Sequence, residues 1–431
     1  MNILYPNEQE LIQWRRCIHK HAEPGFAEFW TTNFILEQIQ GLNLNIILGK
    51  NAIDTNLLLG YPSQEFLDSW KEKAYANGVS LANIDMLENI TGLIVDIWPS
   101  KIDNKQKVPT ILFRFDIDAV QVNEAENISH KPFLLGFSSI NKDVCHSCGH
   151  DGHIAIGIGL IKALVSIREQ LVNGVRIIFQ PAEEGVRGAV AFKKYCKGIK
   201  YAIIGHIGMK AHNNHELVCG VKGFFATTKF DVNFIGASSH AGGEPEKGKN
   251  SLLAASNCAI NLHAISRDGR GESRINVGVL KAGTGRNVVP DQAYLSCESR
   301  GATSDINESI FEKAQNIIEG CAKMYEQEYK INIVGKCDSA VSDTELIEKI
   351  YNVAQSIPYF HNEKIKKMEI GYGSDDACTL MHEVQKQGGL ASYIMLGSNL
   401  AAGHHDSYFD FDESILKPAV ELFTQLAYQL N

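Results

Sequence analysis

No stretch of this 431-residue sequence strings together the roughly 18 apolar residues that suggest a membrane-spanning helix, and no stripe of Lys and Arg runs along it. Neither a membrane nor a nucleic acid is an expected partner. For nucleic acid the reason is charge: 41 basic against 50 acidic residues leave a net −9, without the basic footprint that a polyanion needs. Proline is scarce, at 11 residues. There is no Pro/Ser-rich linker, internal repeat or low-complexity tract, so hinges between domains must be short. The start, MNILYPNEQELIQWRRC, has neither a charged n-region nor an apolar h-region of a secretory signal, which predicts a cytoplasmic location. Ten cysteines at irregular spacing do not form the dense pattern of a disulfide scaffold and are expected to be reduced, small buried hydrophobes.

What is present is an ordinary globular composition, 44% hydrophobic and 21% charged, enough for two or three domains. The runs TGLIVDIW (91–98), VPTILFRFD (108–116), GVRIIFQ (174–180), KYAIIGH (200–206) and ASYIMLG (391–397) have the β-branched, continuously apolar character of buried strands. Helical stretches lie between several of them, clearest at 153–167 and 192–196. The pattern predicts an α/β domain with a mostly parallel sheet covered by helices. From 223 to 334 the order becomes strand, helix, strand, strand, helix, strand, which fits a small ferredoxin-like α+β domain. It is inserted into the first domain, which comprises 1–222 and 335–431. The polar stretch 57–88 carries no clear assignment.

The richest segment for chemistry is Cys145-His146-Ser147-Cys148-Gly149-His150-Asp151-Gly152-His153, which opens into an apolar helix. In extended backbone, side chains two apart face the same way, so Cys148 and His150 can converge on one metal ion. Asp151 is placed to cap the helix that follows. A structural zinc knuckle is disfavoured, because no second CxxC exists to close it. Three further groups stand just beyond strands: Glu183 with Glu184, His206, and His404 with His405. Ligands in open α/β sheets bind outside the carboxyl ends of strands, so these groups can meet Cys148 and His150 at one crevice. Neighbouring side chains such as Glu183 and Glu184 point in opposite directions on extended backbone. One of the two can then bind metal while the other faces the substrate as the proton carrier that hydrolysis requires.

The segments RRCIHKHAEPGF (15–26), FRFDIDAV (113–120), CHSCGHDGH (145–153), IIFQPAEEGVRGA (177–189), GHIG (205–208), ASSHAG (237–242), GRNVVPD (285–291) and AAGHHDSYFDFDE (401–413) occur in the order, and over nearly the length, of a known family. The chain resembles the amidohydrolase branch of the aminoacylase/carboxypeptidase G metallopeptidases. The resemblance implies a zinc-peptidase-like catalytic domain, and makes the inserted domain a lid that dimerises. It implies two divalent metal ions per subunit, Mn2+ or Zn2+, held by Cys148, His150, Glu184, His206 and His405, with Glu183 as general base. His405 is preferred to His404 because Phe409 follows it by four, as in the family's closing pattern. It places His240, Asn287 and Arg300 as substrate contacts in the lid, the His serving the partner's site and the Asn and Arg holding a carboxylate. The implied reaction is hydrolysis of the amide of an N-acyl amino acid, p-aminobenzoyl-glutamate foremost. Another acyl group, as in an aminoacylase or dipeptidase, is the alternative. The implied assembly is a homodimer through the lid, or a hetero-oligomer with a homologous partner chain. Two departures from the family stand out. Cys145-His146-Ser147 replaces Met-His-Ala and sets a second thiol near the site. Asp375 occupies a position that is usually Glu, one methylene longer.

Overall fold

A computed structural model describes residues 3–99 and 108–431. The chain divides into two compact units, one of Met1–Lys222, Ala340–Gly371 and Asp375–Asn431, the other of Gly223–Ser339 and Tyr372–Ser374. Among the described residues the strands are β1 (Asn45–Ile47), β2 (Leu93–Ile97), β3 (Ile111–Asp116), β4 (Val175–Gln180), β5 (Tyr201–Ile207), β6 (Leu217–Val218), β7 (Val221–Lys222), β8 (Ala226–Ile235), β9 (Ser273–Ala282), β10 (Gln292–Gly301), β11 (Glu328–Cys337), β12 (Ile365–Lys366), β13 (Glu369–Ile370) and β14 (Leu390–Leu396). No described helix is long and apolar enough to cross a membrane.

The first unit is built on an eight-stranded sheet in the order β1-β2-β4-β3-β5-β14-β6-β12. Its middle four strands, β4, β3, β5 and β14, are parallel neighbours, whereas β2 runs antiparallel to both β1 and β4. β2, β3 and β4 are buried along their whole length, as strands covered on both faces must be. The chain passes from β3 to β4 on one side and returns to β5 on the other, so a crevice opens at the carboxyl ends of these strands. The helix His150–Ser166 packs on this sheet through Gly157, where a Cβ would stand 2.6 Å from the Phe179 ring and 2.8 Å from that of Phe115, and on the helix Leu416–Leu430 through Gly159, where a Cβ would stand 2.7 Å from Val420.

One local expectation is corrected, one refined and one unassigned region resolved. The 192–196 stretch is not an α-helix but part of a 3-10 run, Ala189–Cys196, whose entry is tied down by the Asp376 carboxylate bound to the Ala189 N–H. The unassigned 57–88 region forms two capped helices, Gln64–Ala76 after Ser63 and Leu81–Met86 after Ser80. They bury Leu67, Trp70, Ala74 and Ile84. Asp151 is not the N-cap of the helix at 150, a position that Gly149 takes at φ 85°; its Oδ1 accepts the first-turn Gly152 N–H at 2.9 Å, while its Oδ2 turns inward. It accepts from Arg15 Nε at 2.6 Å and from His19 Nδ1 at 2.8 Å. His19 Nε2 donates to Glu124 at 2.9 Å, as does His130 Nε2 at 2.8 Å. Arg15 also reaches Asp410 and Glu413. This buried network ties the start of the 150–166 helix to the first helix, Glu8–Lys20.

The second unit has an antiparallel sheet in the order β11-β8-β10-β9. Helices Ser251–His263 and Ser304–Met324 supply Ala254, Cys258, Leu262, Phe311, Ala314 and Ile318 to its core, against Phe230, Val232, Phe234 and Leu295 of the sheet. The element order is the βαββαβ order of the ferredoxin-like fold.

Two outcomes follow for stability. Gly157→Ala should cost about 1–3 kcal/mol through overpacking against the two phenylalanine rings, read as a lowered urea midpoint. Despite its burial, Glu124 is held down to about 2 by His130 and His19, while His19 is raised to about 9 by Asp151 and Glu124 against its own burial. A depressed carboxylate contributes stability above its unfolded pKa and loses it as pH falls through the folded one. Wild type should therefore lose urea stability more steeply between about pH 5 and pH 2 than Glu124→Gln does.

Candidate metal centre

The carboxyl ends of the four parallel strands deliver the chemistry. Two residues beyond β3 stands Asp118, three beyond β4 stands Glu183, His206 lies near the end of β5, and the loop after β14 carries His404 and His405. The helix at 150 adds Cys148 and His150 from its entry. The ligand atoms of Cys148, Glu184 and His405 lie within 4.8 Å of one another, and so do those of His150, Glu183 and Glu184. Glu184 belongs to both groups. His206 joins them through Nε2, which is 3.5 Å from Cys148 Sγ. His405 Nε2 is 3.0 Å from Glu184 Oε1. All six residues named in the first unit by sequence are thus gathered at one place. Cys148 and His150 meet by a different route from the extended one expected: left-handed Gly149 turns the chain between them, and His150 opens the helix.

Hydrogen bonds fix which ring nitrogen faces the cluster. His150 Nδ1 donates to the Asp118 carbonyl at 2.8 Å, leaving Nε2 buried without a hydrogen-bond partner. His206 Nδ1 donates to the Ile207 carbonyl at 2.9 Å. In both rings Nε2 is the nitrogen left to face the other candidate ligands, which is the usual arrangement of a metal-ligating histidine. A buried thiol, three imidazoles and two carboxylates with an orphaned Nε2 among them suit a divalent cation. His153 also lies close to His150 and His206, yet both its nitrogens are engaged. Nδ1 donates to Asp116 at 2.5 Å and Nε2 accepts the Ile207 N–H at 3.0 Å, so it supports the centre from beneath. His404 Nε2 donates to the Ile207 carbonyl at 3.0 Å, a structural role that leaves His405 as the ring facing Glu184.

Charge is organised around this cluster. Burial, followed by the neighbouring His153 and His404, holds His206 well below the usual histidine value and therefore neutral. Opposing its burial, Asp116 and Cys148 push His150 well up. Hydrogen bonds to Cys148 and Glu184 raise His405 to about 10. Burial, then the carboxylates of Asp375 and Glu184, push Glu183 well above the carboxylate range. Cys145, the second thiol, is pushed up to about 12 by burial and belongs to neither ligand group.

Several supporting residues were not singled out by sequence. Arg114 is buried and bridges Asp116 at 2.6 Å and Asp376 at 2.9 Å. Tyr393 donates to Asp375 at 2.6 Å. The only available signal was the Asp116-x-Asp118 alternation at a strand end, and the Arg114 two residues before it. The remaining three candidates lie in the second unit. The His240 and Asn287 loops are bridged there, with the Ala241 N–H on the Asn287 carbonyl at 3.0 Å. The Arg300 guanidinium is paired with Glu298 at 3.1 Å.

Comparisons with known proteins place this geometry. The chain is 40% identical over 415 residues to the indole-3-acetyl-aspartic acid hydrolase of Enterobacter agglomerans, covering 96% of this chain and 94% of that protein. It is 38% identical over 421 residues to one of the subunits of the p-aminobenzoyl-glutamate hydrolase of Escherichia coli strain K12, covering 97% and 95%. Among solved structures, an aminobenzoyl-glutamate utilization protein from Klebsiella pneumoniae superposes with a TM-score of 0.81 at 35% identity, covering 98% of this chain and 95% of that one. The sequence profile of Peptidase family M20/M25/M40 matches residues 112–429, and the chain belongs to that family.

Proposed function

We propose that this protein is a metal-dependent amidohydrolase that cleaves the amide bond joining an acyl group to an acidic amino acid. The observation that carries the reading is the pair of ligand groups sharing Glu184, with Glu183 beside them. Cys148, His150, Glu184, His206 and His405 would hold two divalent cations. Their thiol and imidazole donors favour zinc by softness, and the family resemblance favours manganese. Divalent cations held there acidify a water, polarise the amide carbonyl and offset the carboxylate repulsion that raises Glu183.

Glu183 takes the proton of the attacking water and passes it to the leaving nitrogen. The Enterobacter and Escherichia relatives are both named for an aromatic acyl group on an acidic amino acid, which supports p-aminobenzoyl-glutamate as substrate, with indole-3-acetyl-aspartate in the same class. In the second unit, Arg300 and Asn287 are proposed to hold a substrate carboxylate, with Arg300 exchanging Glu298 for it. His240 is proposed to assist the carbonyl oxygen in the partner's site. That reading makes the second unit a lid that dimerises. Strand β9 supports it: it is an edge of its sheet and exposes Val279 and Leu280, surface that a second copy can cover.

A hetero-oligomer is favoured by one observation, that the name of the Escherichia coli relative makes it one of several subunits. Assay of the purified chain alone separates the two assemblies. Hydrolysis by the isolated chain supports the homodimer, and activity only with a homologous partner supports the hetero-complex.

Two substitution experiments test the site. Glu183→Gln should lower kcat by about 10²–10⁴-fold while metal content, read by mass spectrometry of the purified protein, stays unchanged; retained hydrolysis overturns the assignment. His405→Ala should weaken metal binding by more than the roughly 10–100-fold typical of losing an outer partner, whereas His404→Ala should stay within that range. Equilibrium dialysis reads both.

A further inference from the structure

The loop that carries Glu183 and Glu184 is held by its backbone. Three buried carboxylates, each from a different part of the chain, capture five of its N–H groups. Glu28 Oε1 accepts from Ala182 at 2.9 Å. The two oxygens of Asp118 accept from Glu183 and Glu184, each at 3.0 Å. Asp376 Oδ2 accepts from Gly188 at 3.0 Å and Ala189 at 2.9 Å. All three acids are fully buried. The loop needs such anchorage, because Ala182 and Val186 sit at φ 53° and 60°, in the left-handed region, on either side of the glutamates. For residues with a Cβ that region is disfavoured by roughly 1–2 kcal/mol each. If Ala182 relaxes to negative φ, the chain after it rotates, and with it the directions of Glu183 and Glu184.

Glu28 is the outlying member. It precedes the helix Phe29–Ile39, far in sequence from every proposed ligand, and its second oxygen accepts the Thr91 hydroxyl at 2.5 Å. We propose that Glu28 is a positioning residue of the metal centre: by binding the Ala182 N–H it holds the left-handed turn that aims Glu183 and Glu184 at the cluster. The inference rests on the reading of Glu184 as ligand and Glu183 as base. What matters here is the reach of an acceptor oxygen to a fixed point. Glutamine supplies the same reach, with its amide N–H₂ donating to the Thr91 oxygen. Aspartate withdraws the acceptor by one C–C bond, about 1.5 Å.

The test compares Glu28→Asp, Glu28→Gln and Thr91→Val, the last removing the hydroxyl that aims Glu28. Two readouts besides turnover are used: Co2+ affinity against a competing chelator, and the thiolate-to-cobalt absorbance of Cys148 in the Co2+-loaded protein. Glu28→Asp should weaken Co2+ binding about 10-fold or more, shift that absorbance, and lower kcat with KM nearly unchanged. Glu28→Gln should stay within about three-fold of wild type in affinity, well inside that outer-partner loss. Thr91→Val should move in the direction of Glu28→Asp by less. The proposal is overturned if Glu28→Asp matches wild type in affinity and spectrum, or if Glu28→Gln is as impaired as Glu28→Asp. Should Glu28→Asp not fold, Thr91→Val decides, and unchanged Co2+ affinity there overturns it. Failure of the parent reading looks different: wild type then binds no Co2+ through a thiolate, or Glu183→Gln stays active.

Discussion

Beneath the candidate ligands lies a row of ionisable groups in the hydrocarbon interior of the sheet, and their mutual neutralisation is the constraint on which the centre depends. Arg114 faces Asp116 and Asp376, Asp116 faces His153, and His150 lies 3.7 Å from Asp116. None of these groups is solvated, so each needs its partner: removing one member of a buried pair typically costs about 3–5 kcal/mol. The row joins the strand end that carries Asp118 to the helix that carries His150 and to the segment that carries Asp375 and Asp376. Position at the centre is therefore inherited from charge balance below it.

The same economy appears in the histidines. Ile207 alone serves three rings: its carbonyl accepts from His206 and His404, and its N–H donates to His153. One residue at the end of β5 thereby sets the tautomer of His206, the orientation of His404 and the role of His153. Two histidines become scaffolding while others keep a nitrogen facing the cluster, which is why a simple count of histidines overstates the number of candidate ligands.

Left-handed backbone recurs around the centre, as it also does away from it at Asn43, Glu88 and Glu326. Gly149, Ala182, Val186 and His405 all take left-handed φ values. Each is a proposed ligand or lies within two residues of one. Strain of this kind persists only where the surroundings over-determine it, and here the surroundings are buried carboxylates and carbonyl contacts such as His405 N–H on Ser147 at 2.8 Å.

Much of this was legible in the residues alone. The apolar runs that became β3, β4, β5 and β14 have no alternative but burial, and parallel strands buried on both faces place polar chemistry at their carboxyl ends; that made Glu183, Glu184, His206 and His405 readable as one group. The βαββαβ order of the second unit followed from periodicity in the same way. Tertiary structure decided the rest. Whether His153 or His404 binds metal depends on Ile207, which neither adjoins in sequence. The inward turn of the Asp151 Oδ2 depends on Arg15 and His19, more than 130 residues away. The placing of Glu183 and Glu184 depends on Glu28 and Asp118. Local composition determined which segments are buried and where they end, because burial is a property of the segment itself; the direction of each side chain was left to hydrogen bonds between segments, because those partners exist only once the chain has folded.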